Sequence, residues 1–107
     1  MIIIIPHHKT EQEAIAIIDR AATDLFAGVA GGMVQITGQK KEWNGSTMTF
    51  SFTGQLGFIS VPITGTILVD NRNVTVNCEL PAMVRNFIGE DKLGAGIEGR
   101  LKGLLTA

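Results

Sequence analysis

Cysteine is nearly absent from this chain. Cys78 is the only one, so no internal disulfide can form, and a lone thiol fits a reducing compartment. A strong excess of charge is also missing. Formal net charge is −1, the nine basic residues are scattered, and only Lys40 and Lys41 are adjacent. A nucleic-acid surface needs a basic stripe to neutralise phosphates, so that class is excluded. Long hydrophobic runs are lacking too. Residues 1–5 are apolar but too few for a signal peptide, and no basic segment precedes them. The apolar stretch at 14–34 is broken by Asp19, Arg20 and Asp24, so no membrane span is expected. There is no repeat, linker or low-complexity segment. Together these absences predict a cytoplasmic protein.

With 107 residues and a hydrophobic fraction of 45%, the chain reads as one domain over 1–107. Such a domain buries roughly two-thirds of the surface its unfolded chain exposes, which is enough for a core without disulfide or metal. Ile2-Ile3-Ile4-Ile5 is a β-branched run stopped by Pro6, and its continuous apolarity predicts a strand buried on both faces. Thr10-Glu11-Gln12-Glu13 matches a capping box. The helix it opens carries Ala14, Ile15, Ile18, Ala21, Ala22, Leu25 and Phe26 on one face, with Asp19 mostly off it. Gly28 or the pair Gly31-Gly32 ends that helix.

From Met33 the period becomes two. Val34 and Ile36 alternate with Gln35 and Thr37. Met48, Phe50 and Phe52 alternate with Thr47, Thr49, Ser51 and Thr53. Ile63, Ile67 and Val69 alternate with Thr64 and Thr66, with Gly65 inward. Val74, Val76, Cys78 and Leu80 alternate with Thr75, Asn77 and Glu79. Alternating side chains give each strand one apolar and one polar side. Asn44-Gly45 and Asp70-Asn71 supply turn chemistry. A loop at Asn44-Gly45 would set Lys41 opposite Met48 and throw Val34 and Ile36 out of phase, so a bulge is expected near Gly38. Another turn or bulge must fall between Gly54 and Pro62. Pro81 opens a last helical region, with Met83, Val84, Phe87 and Ile88 on one face. Gly89-Glu90-Asp91 interrupts it, and Leu93, Ile97, Leu101 and Leu104 form a second stripe. The expected order is β-α-β-β-β-β-α: an α+β fold, helix-grip-like, with two helices on one face of an antiparallel sheet.

No constellation declares a reaction. His7 and His8 point opposite ways on an extended chain and lack a third metal ligand, so they read as strand-end residues rather than a proton shuttle. Cys78 shares the phase of Val74 and Val76 and reads as a small buried residue, not a nucleophile. The acids are dispersed, and Glu11, Glu13, Glu90 and Asp91 suit helix starts. No catalytic residue, cofactor or metal is expected. Two features remain. Gly96, Gly99 and Gly103 share nearly one helical face, which would either admit a ligand or leave a loosely formed helix. The polar sheet face is almost free of charge. Its residues Thr47, Thr49, Ser51, Thr64, Thr66, Thr75 and Asn77 form either a solvated exterior or a contact surface for another copy or a polymer.

Several residues in order resemble the polyhydroxyalkanoic acid system proteins, small bacterial proteins encoded near genes of storage-polyester metabolism. They are a histidine before the first helix, the alanine-rich helix itself, Trp43-Asn44-Gly45 followed by Phe50, Gly65 with Ile67 and Val69, Val74-Thr75-Val76, and Leu80 before an apolar helix. Residues 55–64 look like an insertion relative to that pattern. The resemblance implies a non-enzymatic accessory protein associated with polyhydroxyalkanoate granules or a granule protein. Alternatives are a helix-grip carrier of a small hydrophobic or acyl ligand, and a hydrolase using His7 or His8.

Overall fold

The computed structural model describes residues 1–29, 35–79, 81–82 and 90–106. The order is β1 (Ile2–Pro6), α1 (Glu11–Val29), β2 (Gln35–Asn44), β3 (Thr47–Leu56), β4 (Ile59–Val69), β5 (Asn73–Glu79) and α2 (Glu90–Thr106). This is the α+β order the periodicities predict. The five strands form one antiparallel sheet in the spatial order β1-β5-β4-β3-β2.

The start of α1 follows from its capping box. The Glu13 amide donates to the Thr10 hydroxyl at 3.1 Å, and the Thr10 amide reaches back to the Glu13 carboxylate at 3.4 Å. These bonds satisfy donors that a helix start otherwise leaves open. The helix runs to Val29, so Gly28 does not end it; Gly31-Gly32 lies outside the described residues. The face expected at Met83, Val84, Phe87 and Ile88 also lies outside them.

Both helices cover the same face of the sheet. Ala14 and Ile18 from α1 and Ile97, Leu101 and Leu105 from α2 share one core with Met48, Phe50, Phe52, Ile67, Val74, Val76 and Cys78. Burying each large aliphatic side chain there is worth about 1.5–3 kcal/mol. The stripe of α2 differs from expectation at its end. Leu105 is buried while Leu104 is exposed, because the residue one turn beyond Leu101 at i+4 stays in line with Ile97 and Leu101.

Two hairpins have glycine at the first turn position. Asn44 pairs with Thr47, so the loop is Gly45-Ser46 rather than Asn44-Gly45, and Trp43, not Lys41, faces Met48. Leu56 pairs with Ile59 around Gly57-Phe58, which locates the turn expected between Gly54 and Pro62. Gly45 and Gly57 have φ of 63° and 64°, the conformation a type II′ turn demands of its first central residue. The apparent insertion at 55–64 is the end of a long β3–β4 hairpin.

The bulge expected near Gly38 is present. The register shifts between Thr37 and Lys40, and Gly38 has φ of 63°. Phe52 thus faces two β2 residues at once. The bulge changes the parity of the core-facing side, which holds Ile36 before it and Lys41 and Trp43 after it.

β1 departs from expectation. It is an edge strand with an alternating pattern: Ile3 and Ile5 are buried, whereas Ile2 and Ile4 are 66% and 59% exposed. Among the described residues only one face of the sheet carries helices, so a fully apolar strand still leaves half its side chains outside.

Candidate functional site

The strand registers assemble the seven predicted polar-face residues into contiguous rows. One row crosses the sheet as Glu42, Thr49, Thr66, Asn77 and Ile2. The next runs Asn44, Thr47, Leu68, Thr75 and Ile4. A third runs Lys40, Ser51, Thr64 and Glu79. Thr49, Thr64 and Asn77 are exposed, and Thr47, Ser51, Thr66 and Thr75 are half-buried among their neighbours. All seven therefore lie on one surface, opposite the helices.

That surface differs from the expected one at both edges. At the β2 edge the Gly38 bulge turns Lys40 and Glu42 outward, so the face is not nearly uncharged there. At the β1 edge it is apolar, with Ile2 and Ile4 exposed, and Leu68 adds an exposed apolar side chain on the central strand β4. Sequence reading missed these three. Leu68 shares the phase of Thr64 and Thr66, a signal that was available. For Ile2 and Ile4, only the edge position of β1 decides which side is covered. From 43 to 69 the chain has no ionisable side chain, so β3 and β4 carry none at all.

His7 is buried and both its ring nitrogens are engaged. Nε2 lies 2.8 Å from the Asp70 carbonyl oxygen, and Nδ1 accepts from the Lys9 amide at 3.1 Å. The carbonyl can only accept, so Nε2 carries the proton. The His7 amide also donates to the Arg72 carbonyl at 2.8 Å. The ring thus ties the end of β1 to the β4–β5 turn. His8 is exposed. That turn is closed by the Asp70 carboxylate, which accepts from the Arg72 and Asn73 amides at 2.8 and 2.6 Å. These two amides hold its pKa below the usual carboxylate value.

Cys78 is buried, and burial raises its thiol to about 11. A neutral, covered thiol is not a nucleophile. Among the described residues no group of three or more His, Cys, Asp or Glu side chains could hold a metal ion. Likewise, no described helix is long and apolar enough to cross a membrane.

Gly99 and Gly103 of α2 look onto open solvent. A Cβ built at Gly99 or Gly103 meets nothing within 4 Å, and both residues are exposed; Gly96 is half-buried. The face turned to the sheet is Ile97, Leu101 and Leu105. Gly94 approaches the sheet, with its virtual Cβ 3.4 Å from Met1 Sδ and 3.8 Å from Ile3 Cδ1. It borders an open groove between β1 and α2 that Asp91 and Glu98 also line. A separate cleft of about 250 Å³ lies where Ala22 of α1 meets the bulge, lined by Gln39, Lys40, Lys41, Phe50, Ser51 and Phe52.

A polar anchor fixes α1 over that region. Lys41 Nζ lies 2.8 Å from Asp19 Oδ1 and donates to the Asp19 carbonyl at 2.7 Å, while the Trp43 indole donates to Oδ1 at 2.8 Å. Lys41 first, and Trp43 second, hold the Asp19 carboxyl below its usual pKa. In the β2–β3 turn the Ser46 hydroxyl donates to Glu11 at the start of α1. Asp19 and Trp43 are therefore docking residues of the helix.

Comparison with family models, curated proteins and solved structures gives no match.

Proposed function

We propose that this protein is a non-enzymatic accessory of storage-polyester metabolism that lays the outer face of its sheet against the polyhydroxyalkanoate surface. The observation that carries the reading is the composition of that face. Rows of threonine and serine run into exposed Ile2, Ile4 and Leu68. A polyester surface offers hydrocarbon and ester carbonyls, which only accept hydrogen bonds. Threonine brings a methyl group and a hydroxyl donor to each contact, and the uncharged centre of the face, on β3 and β4, is desolvated at lower cost than a charged surface. The family resemblance supports the same context.

The test is co-sedimentation with protein-free polyester particles. The wild-type chain is expected in the pellet. The double variant Ile4→Lys/Leu68→Lys should remain in the supernatant with a melting temperature within a few degrees of wild type, because both side chains already face solvent. Wild-type protein that stays in the supernatant would remove the reading. The alternative, a carrier of a small acyl ligand, has the cleft floored by Phe50 and Phe52 in its favour. Bound lipid in native mass spectra of protein taken from cells would decide for it.

A further inference from the structure

We infer that the tip of the β3–β4 hairpin is the part of the chain that enters the polyester, with Phe58 as the inserting side chain. The inference rests on the reading just given and adds to it a point of insertion away from the Ile2, Ile4 and Leu68 patch. Phe58 is fully exposed and Ile59 is 41% exposed. Two large apolar side chains at one protruding turn are costly in water and mark a contact. Among the described residues the hairpin stands beyond its neighbours. Its last pairing to β2 is Gln55 with Gln35, and its last pairing to β5 is Thr64 with Glu79. Beyond those pairs, among the described residues, β3 and β4 pair only with each other, as far as Leu56 and Ile59.

The chemistry of the hairpin suits an uncharged apolar phase. No side chain from 43 to 69 is ionisable, so entry dehydrates no charge. The ladder closes right up to the turn, so the backbone groups that face across the hairpin stay paired when water is removed. Gly57, at φ of 64°, makes the tight turn and leaves Phe58 at its apex. A charged partner would find no counter-charge on this finger, whereas an aliphatic polyester requires none. Gln55 and Ser60, paired across the strands below the tip, carry amide and hydroxyl donors that suit ester carbonyls.

Two variants test this on the full chain with protein-free polyester particles. Phe58→Asp should weaken binding at least tenfold without changing the fold, since the side chain touches solvent. Phe58→Trp in a Trp43→Phe background should show a blue-shifted emission on adding particles. If wild type sediments while Phe58→Asp binds equally and the tip indole does not shift, the insertion is wrong and the outer-face reading stands. If wild type does not sediment, both fall. Equal binding to neutral phosphatidylcholine vesicles would overturn polyester as the partner. Loss of self-association by Phe58→Asp in the absence of particles would reassign the tip to a second copy of the chain.

Discussion

Gly65 sits on the core face of β4 directly across from Phe50, and its missing side chain is what lets that ring lie flat over the sheet. A Cβ there would stand 2.4 Å from Phe50 Cζ and 2.6 Å from the Asn77 carbonyl oxygen. The ring could turn aside, but the carbonyl belongs to the neighbouring strand and cannot. Phe50 also stacks on Phe52 with centroids 6.2 Å apart, so displacing one ring disturbs the other. Gly65→Ala is therefore expected to destabilise the fold by about 2–3 kcal/mol, the upper range for overpacking, read as a lowered urea midpoint at unchanged slope. The inward phase of Gly65 was legible from its alternation with Thr64 and Thr66. The ring it accommodates was not, because that ring comes from another strand.

At the scale of elements, α2 is the one whose sequence and role diverge. Its sheet-facing residues Ile97, Leu101 and Leu105 bury well, yet its outer surface carries Gly99 and Gly103 with open space around both. Glycine costs a helix backbone entropy and no packing requires it at those positions. Gly99→Ala/Gly103→Ala should thus stabilise the protein by about 1–2 kcal/mol in total, measured by thermal or urea unfolding. A loss of stability would show that these positions need close approach after all. The elements themselves were readable because each rests on local chemistry: a capping box for α1, period-two alternation for β2 to β5, and a glycine-centred bulge demanded by clashing phases. The β2–β3 loop lies one residue later than its Asn-Gly signal suggests, which moves the register by two residues. Asn-Gly is a strong turn signal, but a type II′ turn needs glycine only at its first central position, and Gly45-Ser46 satisfies that.

For the whole molecule, the ionisable groups set a stability window in pH. Asp19 and Asp70 have lowered pKa values, through Lys41 and Trp43 in one case and the Arg72 and Asn73 amides in the other. Their contribution is present above the ordinary carboxylate range and is lost as pH falls through the lowered values. Cys78 acts at the other end. Its thiol ionises near 9.0 when unfolded and near about 11 when folded, so stability is intact below the first value and declines as pH rises through the second. That shift corresponds to about 2–3 kcal/mol. Urea midpoints across pH should therefore fall on both sides. Asp19→Asn/Asp70→Asn should flatten the acid limb, and Cys78→Ala should flatten the decline between the two thiol values. An unchanged alkaline limb in Cys78→Ala would mean the thiol is not the group responsible.

The sequence alone determined what depends on neighbours along the chain: which stretches are helix or strand, which side of each strand is apolar, and that Cys78 faces inward. It also brought the seven hydroxyl and amide residues to one side of their strands, because alternation needs no partner to be read. Only the tertiary structure decided what depends on which strand lies beside which. The edge position of β1 exposes Ile2 and Ile4 on the outer face. The pairing of Leu56 with Ile59 lifts Phe58 clear of the sheet, and the packing of α1 on β2 joins Asp19 to Lys41 and Trp43. The first and the last of these join residues far apart in sequence, and nothing in the local pattern of either partner specifies the other.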